Sequence, residues 1–197
     1  MSWRRWCPVA RPADPARRRA VLDSVVEQLT RSGVTGSTLR SIAQGMGRST
    51  RVLTHHFADK EALLSAVLSH LDERQHTALR ATPGWDDPSV PVSAIVRDSW
   101  RRHLSEEELP MTRLVLEIEG LAAAGRLPLD PGFVRGRAEF VADCLRVRGA
   151  SARAALTGAT LLNAAYSGLE TDLLVTGDRE RAESGLDALC TWVDALT

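Results

Sequence analysis

Cysteine is scarce and scattered. The three residues Cys7, Cys144 and Cys190 form no CxxC pair and no Cys/His spacing of the kind that holds zinc, so neither a disulfide framework nor a zinc module is expected, and a reducing compartment fits. No uninterrupted apolar run approaches the roughly 20 residues needed to cross a bilayer, and the opening MSWRRWCPVARPADPARRR carries charge without the apolar centre of a signal peptide. The expectation is a cytoplasmic protein with no membrane partner. Alternating β-branched runs are missing, which argues against sheets. GxSxG, P-loop, HExxH and GxGxxG signatures are missing too. Adjacent His55 and His56 diverge around a helix, and so do His70 and His76, six apart. The chain is therefore read as no enzyme, with no catalytic residue, no metal site and no cofactor. Internal repeats and low-complexity segments are also missing.

Net charge is zero over the 197 residues, but it is unevenly distributed. Residues 1–80 hold 13 Lys+Arg against 7 Asp+Glu, and residues 81–197 hold 12 against 18. The front suits a polyanion and the back does not. With 44% hydrophobic residues the chain can bury a core.

Proline punctuates the chain at 8, 12 and 15, at 83, 88 and 91, and at 110, 128 and 131, leaving 16–82 and 132–197 free to be helical. Stripes at helical spacing run through Val21, Leu22, Val25, Val26 and Leu29, and through Leu63, Leu64, Val67, Leu68 and Leu71. Further stripes cover Val92 to Leu104, Met111 to Ala122, Phe133 to Leu145 and Leu186 to Leu196, and the segment ARAALTGATLLNAAYSGLETDLLV is apolar nearly all round. The reading is all-α with about nine helices.

The stretch IAQGMGRSTRVLTHHFADKE, residues 42–61, carries the functional signal. Thr38 can N-cap a short helix, with a capping box left incomplete by Ser41 at the third helical position. Ala43 supplies the small side chain a helix-turn-helix needs where its two helices press together, and Gly47 suits the turn. Ser49 or Thr50 can open a second short helix to about His56, with Val52, Leu53 and Phe57 inward and Arg48, Thr50, Arg51, Thr54 and His55 outward. Such a face suits major-groove reading, because Arg bonds guanine edges and Thr bonds bases or touches a thymine methyl. Lys60, behind the N-cap Asp59, would meet phosphate. Plain packing of two helices gives the same pattern. The balance is moved by charge, since residues 1–58 hold 10 Arg and 3 Asp+Glu.

The segment TLRSIAQGMGRSTRVLTHHFADKEALL resembles the TetR family of bacterial transcriptional regulators: a TxxxIA helix, a Gly-containing turn, a Ser-started recognition helix, a His-x-Phe ending and a KEALL helix start. Arg17 to Gly33 look like the family's first helix. The resemblance implies a helix-turn-helix DNA-binding domain over residues 1–60, with a basic extension to about residue 15, and a helical effector-binding and dimerisation domain over 61–197. It further implies a homodimeric repressor that a small-molecule effector releases from a palindromic double-stranded operator. Thr38 and Arg40 would then touch backbone or bases, Ser49 to Arg51 would open the recognition helix, and His55 and Lys60 would approach phosphate. Thr54 and His56 stand where the family usually has tyrosines, and Thr50-Arg51 replace a commoner small or Pro-Gly pair. The extension before Arg17 reads as a tail or as a basic arm reaching DNA.

Behind this head, Leu169, Leu173, Leu186, Leu189 and Val193 are candidates for a subunit interface, although the same residues would equally fill an intramolecular core. Trp100, His103, Leu104, Met111, Leu114, Phe133, Phe140, Asn163 and Tyr166 have the makeup of a small-molecule pocket, and equally of a core. Glu117 and Glu119 read as solvated edges of their helix, Glu106 to Glu108 as a charged helix start, and the helix from Asp59 to about Arg80 as the connection between the domains. The rival to DNA binding is a helical adaptor that binds protein, separated by salt dependence.

Overall fold

The computed structural model describes residues 15–197. Cys7 and the Arg- and Trp-bearing extension through Asp14 lie outside the described residues. Among the described residues there are nine α-helices and no strand: α1 (Pro15–Ser32), α2 (Leu39–Gly45), α3 (Thr50–Thr54), α4 (Lys60–Arg80), α5 (Val92–His103), α6 (Leu109–Ala123), α7 (Pro131–Val147), α8 (Ala152–Thr176) and α9 (Arg179–Asp194).

Helix starts follow local chemistry. Asp59 caps α4 by accepting from the Ala62 amide at 2.7 Å, and Asp130, Ser151 and Asp178 cap α7, α8 and α9 through their side chains. The capping box of α2 is complete, contrary to the expectation. Thr38 Oγ1 accepts from the Ser41 amide at 3.1 Å, and Ser41 Oγ accepts from the Thr38 amide at 2.9 Å. A serine hydroxyl is long enough to do what Glu or Gln does in the usual motif. The ninth helix begins at Arg179, ahead of the apolar stripe, because Asp178 supplies an N-cap that the stripe does not mark.

The predicted stripes become two cores. One joins α1 to α4 through Leu22, Val25, Leu29, Ile42, Leu53, Phe57, Leu63 and Leu68, and it takes in Leu114 and Ile118 of α6 and Leu127. Each large side chain here contributes on the order of 1.5–3 kcal/mol by leaving water. The head is thus packed on the body through α6, and the first half of α4 belongs to the head's core. The other core joins α5, α7, α8 and α9 through Val96, Trp100, Leu145, Ala159, Leu162, Leu173 and Leu186.

Three sequence expectations need correction. Leu173, Leu186, Leu189 and Val193 are buried within the chain, with Leu169 packed against them, so the stripe faces inward and offers no partner surface. Glu119 is not a solvated edge, because its carboxylate pairs with Arg137 of α7. Glu117, on the same helix, is bound to the head, as described below. Both carboxylates lie beside an apolar stripe that turns out to be a seam between helices.

One buried cation fixes the connection between α4 and α5. Arg148, 8% exposed, donates to the carbonyls of Trp85 at 3.1 Å, Asp87 at 3.0 Å, Val90 at 3.0 Å and Cys144 at 2.8 Å, and also to that of Gly84. Beside it, Trp85 and His76 both stack on Phe140, at ring-centroid distances of 4.7 and 3.8 Å.

Candidate nucleic-acid interface and body cavity

The turn between α2 and α3 is made by Gly47, whose φ of 66° is one that side chains with a Cβ rarely adopt. Ala43, with no exposed surface, lets α3 approach, and Leu53 and Phe57 anchor α3 from below. The opposite face is open. Arg48, Ser49, Arg51, Thr54 and His55 are exposed and Thr50 is half-buried. Thr38 and Arg40 lie exposed at the start of α2. The guanidinium groups of Arg40, Arg48 and Arg51 meet no carboxylate among the described residues, so their donors point to solvent.

Two sequence-derived roles look different in place. The ammonium of Lys60, the chain's one lysine, donates to the Val34 carbonyl at 3.1 Å, which leaves its remaining protons for any phosphate. His56 turns partly inward between His55 and Phe57. Burial, and then the neighbouring His55 and Arg18, push its pKa below the usual imidazole range, so His56 is held neutral. Arg18 of α1 lies over the Phe57 ring at 5.2 Å.

A contact that composition and spacing did not reveal ties head to body. Glu117 of α6 accepts from the Val34 amide at 3.0 Å, the Thr35 amide at 2.9 Å and the Thr35 hydroxyl at 2.9 Å. The turn leading into α2 is therefore held from both sides, with its amides on Glu117 and its carbonyl on Lys60. The only signal in the sequence is an acidic residue breaking an apolar stripe.

The body encloses a cavity of about 250 Å³ between α4, α5, α6, α7 and α8. His103, Met111, Phe140, Asn163 and Tyr166 line it as expected. Trp100 and Leu114 are instead buried core residues, and Leu104 and Phe133 pack against cores. The polar wall is largely self-paired. Arg137 binds Asp72 at 2.6 Å and also Glu119, and Glu170, 6% exposed, holds His103 at 2.8 Å. The Tyr166 hydroxyl lies 3.3 Å from both Ser99 Oγ and His103 Nδ1. Burial and the nearby Glu170 carboxylate push the Tyr166 phenol well above its ordinary pKa, so it stays a neutral donor. No group of three or more metal-ligating side chains occurs among the described residues, and no helix there is long and apolar enough to cross a membrane.

The profile described as bacterial regulatory proteins, tetR family, matches residues 21–67, which span the helix-turn-helix and its supports. The HTH-type transcriptional regulator BetI of Paraburkholderia phytofirmans is 34% identical over 82 residues, 41% of this chain and 42% of that protein. BetI of Burkholderia thailandensis is 33% identical over the same length. The chain thus spans about two fifths of the curated relatives it matches. Among solved structures, the multidrug binding protein EbrR, complexed with imidazole, is 25% identical with a TM-score of 0.71, covering 91% of each chain. A TetR-family member from Streptomyces coelicolor A3 has a TM-score of 0.69 at 24% identity, over 91% of this chain and 99% of that one, and it shares the fold. The head of the chain, residues 21–67, is thus similar to the tetR family of bacterial regulatory proteins, and the chain as a whole follows the fold of EbrR over 91% of its length.

Proposed function

We propose that this protein is a cytoplasmic transcriptional regulator, not an enzyme, that reads a palindromic operator as a homodimer and is released from it by a small molecule bound in the body cavity. The observation that carries the reading is the open face of α3, where Arg48, Arg51, Thr54 and His55 stand exposed with no acidic partner among the described residues, on a rigid support formed by Leu53 and Phe57. Arg51 and Thr50 are the base-reading side chains, and Thr38, Arg40, His55 and Lys60 engage backbone. Repression is the proposed mode, because a helix-turn-helix seated on a promoter excludes polymerase.

Two recognition helices must sit about 34 Å apart to enter successive major grooves. The subunit contact is assigned to the outward faces of α8 and α9, where Leu161 is 53% and Val175 80% exposed, with Ala164, Ala165, Gly168 and Ala188 exposed between them. An effector releases DNA if it binds better to the conformation with misplaced heads. α6 is placed to transmit this preference. It lines the cavity through Met111, Val115 and Glu119 and holds the head through Glu117.

Selection of bound duplexes from a random pool tests the reading. A symmetrical consensus with half-sites about one helical turn apart is the expected result. With that duplex, affinity should fall steeply with added salt. Arg51→Ala should relax preference at one base position at a cost of about 1–3 kcal/mol, and Lys60→Ala should weaken all sequences alike. Enrichment of no sequence, or binding indifferent to salt, would remove the proposal.

A further inference from the structure

We infer that the body cavity receives a small amphipathic acid, whose carboxylate is bound by Arg102. This rests on the effector reading of the cavity and narrows it to one chemical class.

The inference comes from which charged groups on the cavity wall are already satisfied. Asp72 and Glu119 are both taken by Arg137, and Glu170 is taken by His103. Glu108 sits at the N-cap of α6 with no side-chain partner, but its oxygens reach solvent, because no Glu108 atom is sealed without a bond. Arg102 is different. It lies in the last turn of α5 and lines the cavity, and its Nη2 is sealed from solvent with no acceptor among the described residues. A sealed guanidinium nitrogen without an acceptor forfeits both its hydration and its hydrogen bonds. It accounts for one of only three such atoms among the described residues. A second, the indole Nε1 of Trp100, lies on the same turn of α5, with its ring edge-on to Tyr166 at 5.5 Å between centroids. Trp100 belongs to the core, so Arg102 Nη2 is the orphan donor of the cavity wall, and what it lacks is an acceptor.

Guanidinium is planar and forked and receives a carboxylate through two parallel bonds. Asn163 and Ser167, one turn apart on α8, line the same space with side chains that bond to no other group among the described residues, and they can complete the shell of a bound carboxylate. The apolar part of the lining is made by Leu79, Met111, Val115, Leu116, Phe140 and Val141. A cavity of about 250 Å³ lies at the low end of ligand pockets, which start near 300 Å³. The occupant is therefore compact, with one anionic end and a short apolar body. Of the cavity's carboxylates a cation would find only Glu108 unpaired, and it would leave Arg102 facing a like charge.

Three probes of matched shape decide the class: octanoate, octanamide and octylammonium, each titrated in a thermal-shift assay on the full chain. Octanoate should raise Tm in a dose-dependent way, and the other two should do so only at much higher concentration. Arg102→Gln should weaken octanoate by about tenfold to hundredfold while leaving octanamide unchanged. Arg102→Lys, which keeps the charge but not the fork, should fall between. Because the Arg102 side chain has no hydrogen-bond partner among the described residues and its sealed nitrogen carries a desolvation cost, both variants should melt at or above the wild-type temperature without ligand, which separates a binding defect from a folding one. Equal or better stabilisation by octylammonium or octanamide overturns the assignment, as does octanoate binding indifferent to Arg102→Gln, and so does failure of all three. Octanoate added to the preformed complex with the selected duplex tests the underlying reading separately. Binding without DNA release would uphold the acid and remove the regulatory role.

Discussion

Arg148 bonds to five backbone carbonyls, four of them in the 84–90 connection and one in its own helix. Leaving such acceptors buried without a donor costs more than the bonds return when made. Arg148→Met should therefore lower unfolding free energy by about 3 kcal/mol or more, read from urea melts. Arg148→Lys should recover little, because one ammonium cannot reach carbonyls arrayed around a planar fork. His76 gives a pH prediction. Burial lowers its pKa, partly opposed by Asp72 and reinforced by Arg137 and Arg80, and His56 is lowered likewise. In the unfolded chain both take a proton near pH 6.5. Below that pH the unfolded state binds more protons than the folded one, so stability should fall on acidification. Melts at about pH 7.5 and about pH 5.5 should differ, and His76→Phe, which keeps a ring on Phe140, should narrow the difference.

At the scale of elements, α6 makes the most specific prediction. Glu117→Ala frees two amides of the turn before α2, so hydrogen exchange at Val34 and Thr35 should speed up by roughly tenfold or more, corresponding to about 1–3 kcal/mol. Exchange in α8, on the far side of the body, should be unchanged, and a uniform rise throughout the chain would mean simple destabilisation instead. Glu117→Gln keeps an acceptor and should recover part of the protection. How far these elements could be read from sequence follows from the range of the interactions that make them. The stripes of α1 and α4, the Thr38 and Asp59 caps, and the Ala43–Gly47 pair of the helix-turn-helix are set by residues within about one turn of each other, and all were legible. The Glu117 contact spans 82 and 83 residues, so nothing local to it distinguishes a solvated edge from a bridge. The cavity wall was half legible for the same reason. Amphipathic spacing marks the inward face of α5 but does not say that Trp100 packs into the core while His103, three residues on, reaches the cavity.

The whole molecule depends on which apolar surfaces remain uncovered. Sequence alone could not choose between a subunit interface and an intramolecular core for the stripe through Leu169, Leu173, Leu186, Leu189 and Val193, and it goes to the core. Leu161→Glu, on the exposed face of α8, should leave the monomer's melt within about 0.5 kcal/mol of wild type yet halve the mass measured by light scattering. Leu186→Ala should cost about 2–5 kcal/mol of fold stability and leave the assembly intact in whatever fraction stays folded. An unchanged mass for Leu161→Glu would place the subunit contact elsewhere. The Arg148 network bears on motion at this scale as well. It pins the connection after α4 to the end of α7, while the near half of α4 is built into the head's core through Leu63, Leu64, Val67 and Leu68, so the head moves with that half. A rigid rod of 21 residues fixed at one tip has its fulcrum there, so a tilt too small to disturb the stacked rings around Phe140 grows along roughly 30 Å of helix into an ångström-scale sweep where α3 would meet a base pair.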